Sequence, residues 1–196
     1  MGDEIAALIL AGGGARRMGG RDKPLLHIGG GTMMARIIAT LRADGHPIAI
    51  SANGDPSRFG EFAVPVLSDG AFRGEGPLAG VLAGLDWATA SGATALLTVP
   101  GDTPFVPPGL AAALAPPPAC AASDGRLHHL VALWPIECRG ALRALLSAPG
   151  RRDIAAFQRT IGVRNVDFAV VTCDPFLNVN TPEDLAQARA IAEEKT

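Results

Sequence analysis

Residues 10–23 read Leu-Ala-Gly-Gly-Gly-Ala-Arg-Arg-Met-Gly-Gly-Arg-Asp-Lys, so five glycines, three arginines and a lysine crowd one short stretch. Glycines let a backbone approach a ligand closely and aim several N–H groups at one point. Arginine and lysine add the positive charge that a polyphosphate requires. The combination predicts a triphosphate cradle. Spacing excludes two common forms of it. Gly14 and Gly19 fit a P-loop, but Gly20 stands where its lysine belongs. Gly12 and Gly14 fit a dinucleotide fingerprint, but Arg17 replaces its third glycine. A second chemical signal is Pro100-Gly101-Asp102-Thr103-Pro104, a lone carboxylate held between prolines. Magnesium favours one or two carboxylates plus phosphate oxygens, so Asp102 beside a phosphate loop is read as a metal ligand. In isolation, the same Asp would more often make a turn or cap a helix.

Weaker signals lie elsewhere. Gly74-Glu75-Gly76-Pro77-Leu78-Ala79-Gly80 permits close approach to a base or ribose, or simply packs a helix start. Asp69 suits the paired donors of guanine, but equally a ribose or a turn. Asn53, in Ser51-Ala52-Asn53, binds nucleotide or tolerates left-handed turn geometry. Arg151 and Arg152 are candidates for a second substrate's phosphate, or a solvated pair. Asn178 and Asn180 are candidates for a second-substrate or metal-shell contact, or a capped loop. His128 and His129 read more readily as structural or surface residues than as ligands.

Taken together, Leu10-Ala11-Gly12-Gly13, Arg17-Met18-Gly19-Gly20 and Asp22-Lys23 resemble the molybdenum cofactor guanylyltransferase family of nucleotidyltransferases. The Gly76–Gly80 segment, Asp124-Gly125 with His129 and Ala132-Leu133, Arg151-Arg152, Val166-Asp167-Phe168 and the run 174–183 continue the resemblance in the same order. It departs at Gly101, where relatives show Cys, at Leu130 in place of Pro, and at Ser51 in place of Asn. That last change prevents a direct carry-over of the base contact. The resemblance implies nucleotide contacts at Leu10, Ala11, Gly12, Gly13, Lys23, Ser51, Asn53, Asp69, Gly76, Pro77 and Asp102. It implies a magnesium ion on Asp102, with Lys23 and Arg17 at the leaving pyrophosphate. It further implies transfer of GMP from GTP to the terminal phosphate of molybdopterin, and transient contact with proteins that supply and receive the cofactor. A phosphate monoester is already an anionic nucleophile, so positioning and charge neutralisation replace a nucleophilic side chain. Cytidylyl transfer to the same cofactor and nucleotidyl transfer to a sugar phosphate are the enzymatic rivals. A GTP-binding regulator without catalysis is the rival of another class, and Lys23 together with Asp102 argues against it. Gly13, where cytidylyl relatives show Ala, and the Gly-Pro-Leu-Ala-Gly segment favour the guanylyl reading.

Such loops need strands to carry them. Ile5–Leu10 reads as a buried parallel strand, followed by strands at 47–51, 64–67 and 95–99, each ending in one of the loops above. Helical stripes fall at Met33, Met34, Ile37, Ile38 and Leu41, capped by Thr32, and at Leu78, Val81, Leu82 and Leu85. Further helices are expected over about 137–146, after Asp153, and from Thr181-Pro182-Glu183-Asp184. Asp124-Gly125 predicts a hairpin between 119–123 and 127–134. The expected architecture is one α/β domain over 1–196. It has a doubly wound, mostly parallel sheet of the Rossmann-like nucleotidyltransferase kind and a small hairpin insertion in the second half.

The 196 residues, 48% hydrophobic and 18% charged, suffice for one substantial core. A net charge of -2 offers no basic field for nucleic acid. No apolar run approaches a membrane span. Three scattered cysteines, Cys120, Cys138 and Cys173, fit buried thiols in a reducing cytosol better than disulfides or zinc. With acidic Asp3 and Glu4 where a signal peptide would be basic, the expected location is the cytoplasm.

Overall fold

A computed structural model describes residues 4–12 and 22–194. A seven-stranded sheet runs in the order β5 (Val66–Leu67), β4 (Ile48–Ser51), β1 (Ile5–Leu10), β6 (Ala95–Pro100), β8 (Arg126–Pro135), β7 (Ala119–Ser123) and β9 (Arg164–Asp167). The first four are parallel, β8 is antiparallel to both β6 and β7, and β9 is parallel to β7. Thus β8 alone runs against the rest. A separate two-stranded ribbon joins β2 (His27–Ile28) to β3 (Gly31–Thr32).

The strands of the parallel half are apolar on both faces because helices cover both. On one side α1 (Met33–Ala43) and α3 (Leu110–Leu114) bury Ile37, Leu41 and Leu110 against Ile9, Ile50, Leu97 and Val99. On the other, α2 (Pro77–Ala90) and α4 (Arg139–Ser147) bury Leu78, Leu82, Leu85 and Leu142 against Leu8, Leu96 and Trp134. Each fully buried side chain of this size contributes about 1.5–3 kcal/mol. The alternation of Leu8 and Ile9 between the two cores is the strand period expressed in packing. The Trp134 indole N–H donates to Thr98 Oγ1 (2.8 Å), whose hydroxyl donates to the Leu130 carbonyl (2.8 Å). The polar atoms of that buried pair are therefore satisfied.

Local signals act where expected. Thr32 Oγ1 accepts from the N–H of Ala35 (3.1 Å) and opens α1. Asp153 accepts from Ala156 N–H (2.8 Å) and opens α5 (Ile154–Thr160). At α6 (Pro182–Glu194), Thr181 Oγ1 accepts from Asp184 N–H (3.1 Å), while Asp184 Oδ2 accepts from the N–H groups of Thr181 (2.9 Å) and Asn180 (2.8 Å). A reciprocal capping box therefore forms with Asp in the usual Glu position. Asp124 (φ 47°) and Gly125 (φ 72°) turn the β7–β8 hairpin in left-handed geometry. The expected hairpin is present, and it is built into the main sheet through β8 and β6 rather than standing apart from it.

Candidate active site

The carboxyl ends of β1, β4, β5 and β6 lie side by side, and backbone bonds join the loops that leave them. Ala11 N–H donates to Ser51 O (2.9 Å), Ala52 N–H to Leu67 O (2.9 Å), and Gly101 N–H to Leu10 O (2.9 Å). The loops open on a cleft of about 1020 Å³ at this edge of the sheet. Of the residues singled out in the sequence, Leu10, Ala11, Gly12, Lys23, Ser51, Asn53, Asp69, Gly76, Pro77, Asp102, Asn178 and Asn180 line it. Gly13, Arg16 and Arg17 lie outside the described residues.

Two clusters organise the cleft. In the first, Lys23 Nζ donates to Asp102 Oδ2 (2.5 Å) and to Asn180 Oδ1 (2.7 Å), with the Lys23 and Asp102 side chains 22% and 21% exposed. Three distant segments meet there. The Asp102 loop is tied to the C-terminal segment by Val179 N–H donating to Asp102 O (2.9 Å) and Thr103 Oγ1 donating to Asn178 Oδ1 (3.1 Å). Asp184, whose carboxyl is held below its ordinary value chiefly by the Asn180 N–H, holds the backbone that carries Asn180. In the second cluster, Asn53 Nδ2 donates to Asp69 Oδ2 (2.6 Å) while Asp69 N–H donates to Asn53 Oδ1 (3.2 Å). This mutual clasp fixes the orientation of the Asn53 amide and of the Asp69 carboxylate.

Glycines matter where elements crowd the cleft. Gly76 takes φ 80° immediately before α2, and Pro77 begins the helix. A Cβ on Gly80 would lie 2.5 Å from Ser51 Oγ and 3.1 Å from Leu10 Cδ2, so α2 can seat against β1 and β4 only without it.

Arg151 and Arg152 stand differently from the rest. Arg152 donates to the carbonyls of Leu146 (2.9 Å) and Gly150 (2.9 Å), and its Nε is 3.0 Å from Glu75 Oε2, while Arg151 is exposed. Arg152 thus braces the loop before α5 against the Gly74–Gly76 segment.

The cleft residues Arg58, Arg126 and Leu127 had no sequence signal of their own. Arg58 donates to Asp22 Oδ1 (2.8 Å) and to Asn53 O (2.9 Å), linking the first loop to the Asn53–Asp69 clasp, and its guanidinium lies 4.7 Å over the Phe59 ring. The hairpin strand β8 contributes Arg126, Leu127, His128 and His129 to the far wall. The His129 ring bonds Gln158 Oε1 through Nδ1 (2.5 Å), and Gln158 Nε2 donates back to His129 O (2.9 Å). Ser123 Oγ donates to Asp174 Oδ1 (2.8 Å) and so accepts from His128 Nε2 (2.7 Å), which carries the ring proton. Burial pushes the His128 imidazole below its ordinary pKa, against an opposing pull from Asp174.

The arrangement offers oxygen ligands and a primary ammonium at the carboxyl edge of a parallel sheet, where α/β domains bind nucleotides. Comparisons with known proteins point the same way. A family model described as a MobA-like NTP transferase domain matches residues 7–163. The molybdenum cofactor guanylyltransferase of Acidiphilium cryptum is 53% identical over 189 residues, covering 96% of both chains. That of Mesorhizobium japonicum is 45% identical, covering 98% of both. The fold is shared with the crystal structure of molybdopterin-guanine dinucleotide biosynthesis protein A from Archaeoglobus fulgidus (TM-score 0.72, 21% identity, 96% of this chain and 99% of that one). It is also shared with a nucleotidyl transferase from Methanothermobacter thermautotroptrophicus (TM-score 0.70, 20% identity, 100% of both).

Proposed function

Since the chain belongs to the MobA-like NTP transferase family, we propose that it transfers GMP from GTP to the terminal phosphate of molybdopterin, releasing pyrophosphate. The observation that carries this reading is the meeting of Lys23, Asp102 and Asn180 at the carboxyl edge of the sheet, in the cleft that the ends of β1 and β6 line. Asp102 Oδ2 and Asn180 Oδ1 converge on one point, and two hard oxygen donors fit magnesium, which takes its remaining ligands from phosphate and water. When bound there, the ion supplies charge neutralisation on the phosphate oxygens. The rest of the work falls to the chain. Lys23, with Arg17 and the N–H groups of the glycine-rich stretch, offsets the charge that builds on the departing pyrophosphate. Asp69, fixed by Asn53, offers its carboxylate to the N1–H and N2 donors of guanine. The nucleophile arrives already anionic, so alignment supplies much of the rate.

No helix among the described residues is long and apolar enough to cross a membrane. A GTP-consuming step of this kind belongs in the cytoplasm, with its substrate and product passed between proteins.

Calorimetric titration with GTP and CTP, each with magnesium, tests the base assignment. GTP is expected to bind about tenfold tighter or more, because the wrong base leaves the Asp69 carboxylate without its donors. Equal or tighter binding of CTP refutes the guanylyl assignment.

A further inference from the structure

The Lys23 ammonium occupies the point on which Asp102 Oδ2 and Asn180 Oδ1 converge, 2.5 Å and 2.7 Å away. The ammonium donates to both oxygens at once. It also places a unit positive charge where a cation held by the same two oxygens would have to sit. An ammonium and a divalent cation cannot both stand there, because two positive charges within a few Å repel strongly outside bulk water. We propose that Lys23 and the divalent metal are alternative occupants of one site, and that the metal enters only as the Lys23 side chain leaves it. This rests on Asp102 being the metal ligand, as proposed above.

The chemistry of the side chains supports such an exchange. Lysine is a compact point charge on a flexible stem, with three donors and no fixed fork, so it can change partners without disturbing the backbone. The oxygens it leaves are held from behind. The Asp102 carbonyl is bonded by Val179 N–H (2.9 Å), and the backbone of Asn180 is bonded by Asp184 (2.8 Å). The two backbones that carry these oxygens therefore stay side by side when the ammonium departs. The polyphosphate supplies both the new partner for Lys23 and the remaining oxygens for the metal. Metal and nucleotide then bind as a linked pair, and the protein alone is a poor metal binder. Linkage is reciprocal, so the metal must also favour the form in which Lys23 is free to meet phosphate.

Manganese, read by its paramagnetic resonance signal, tests this on the folded protein without nucleotide. Lys23→Met keeps the stem and removes the charge. It is expected to bind Mn²⁺ at least about tenfold tighter than wild type, because a like charge a few Å away has been removed. Adding Asp102→Asn is expected to abolish the gain. Wild-type protein gives a second readout that needs no variant. The chain has only one other lysine, Lys195, which serves as internal reference. Saturating Mn²⁺ should raise the labelling of Lys23 by an amine-reactive acetylating reagent relative to Lys195, counted by peptide mass. Unchanged or weaker Mn²⁺ binding by Lys23→Met, or labelling of Lys23 indifferent to Mn²⁺, overturns the exchange. Loss of Mn²⁺ binding to the GTP complex in Asp102→Asn would still uphold Asp102 as ligand in that case. Retention of wild-type Mn²⁺–GTP binding by Asp102→Asn removes the metal assignment itself, and the exchange with it.

Discussion

Adding one methyl group at Gly80 links the packing of α2 to the part of the cleft lined by Leu10 and Ser51, where the nucleotide is proposed to bind. Gly80 is buried within the helix, so Ala there gains about 1 kcal/mol of helix propensity. Against that, the new Cβ lies 2.5 Å from Ser51 Oγ and 3.1 Å from Leu10 Cδ2. The second contact needs only a few tenths of an ångström, but the first needs the hydroxyl to move by about an ångström in a site where Ser51 is 3% exposed. Overpacking of this kind costs about 1–3 kcal/mol. The expected net loss for Gly80→Ala is therefore about 1 kcal/mol, a fall in Tm of about 2–4 °C for a chain of this size. Leu10 and Ser51 both line the cleft, so GTP affinity should fall several-fold at the same time. Ser51→Ala in the same chain removes the 2.5 Å contact and leaves the 3.1 Å one. The double variant should recover most of the stability, with a coupling of about 1 kcal/mol between the two sites. Thermal melts and GTP titrations of the two single variants and the double variant measure all of this. A Gly80→Ala protein that melts at or above wild type and binds GTP normally refutes the reasoning. So does a double variant no more stable than the sum of its singles.

Asp102→Asn should remove nearly all turnover while shifting stability by less than about 1 kcal/mol, since the Lys23 pair is partly exposed and the backbone bond from Val179 is untouched. A retained wild-type rate at low magnesium would make Asp102 a turn residue only. For His128, the folded protein resists a proton that the unfolded chain accepts, so its contribution to stability is present above the ordinary histidine value of 6.5 and is lost as pH falls below it. Between pH 7.5 and 5.5, Tm should fall more steeply for wild type than for His128→Gln, and equal slopes would refute the buried neutral ring.

Much of the cleft was legible because glycine, proline and charge sit where apolar strands end. The ends of β1, β4, β5 and β6 could each be read from a change of residue type, and their convergence follows from parallel topology. What escaped is what depends on strand order and on distant partners. The strand β9 reads Arg-Asn-Val-Asp and carries no apolar alternation, since it lies at the sheet edge with most of its residues exposed. The hairpin looked like an addition because periodicity says nothing about which strand β8 will pair with. Asn178 and Asn180 could be read as a capped loop, and they are that. Only the fold shows that the same loop reaches Thr103 and Lys23. Arg58 carries no local pattern, and its use appears only once Asp22 and the Asn53 carbonyl come within reach.

Lys23 and Asn180 are 157 residues apart in the chain. At ribosomal speeds of about 5–20 residues per second, roughly 8–30 s separate the synthesis of the lysine from that of its second partner. The glycine-rich loop, β1 and β4 all exist well before the segment that completes the oxygen pair. A nascent chain thus passes through a long interval in which Lys23 and Asp102 are made but their meeting with Asn180 is not. On the proposed reading, turnover waits for the segment that carries Asn180, which a half-made or C-terminally clipped copy lacks.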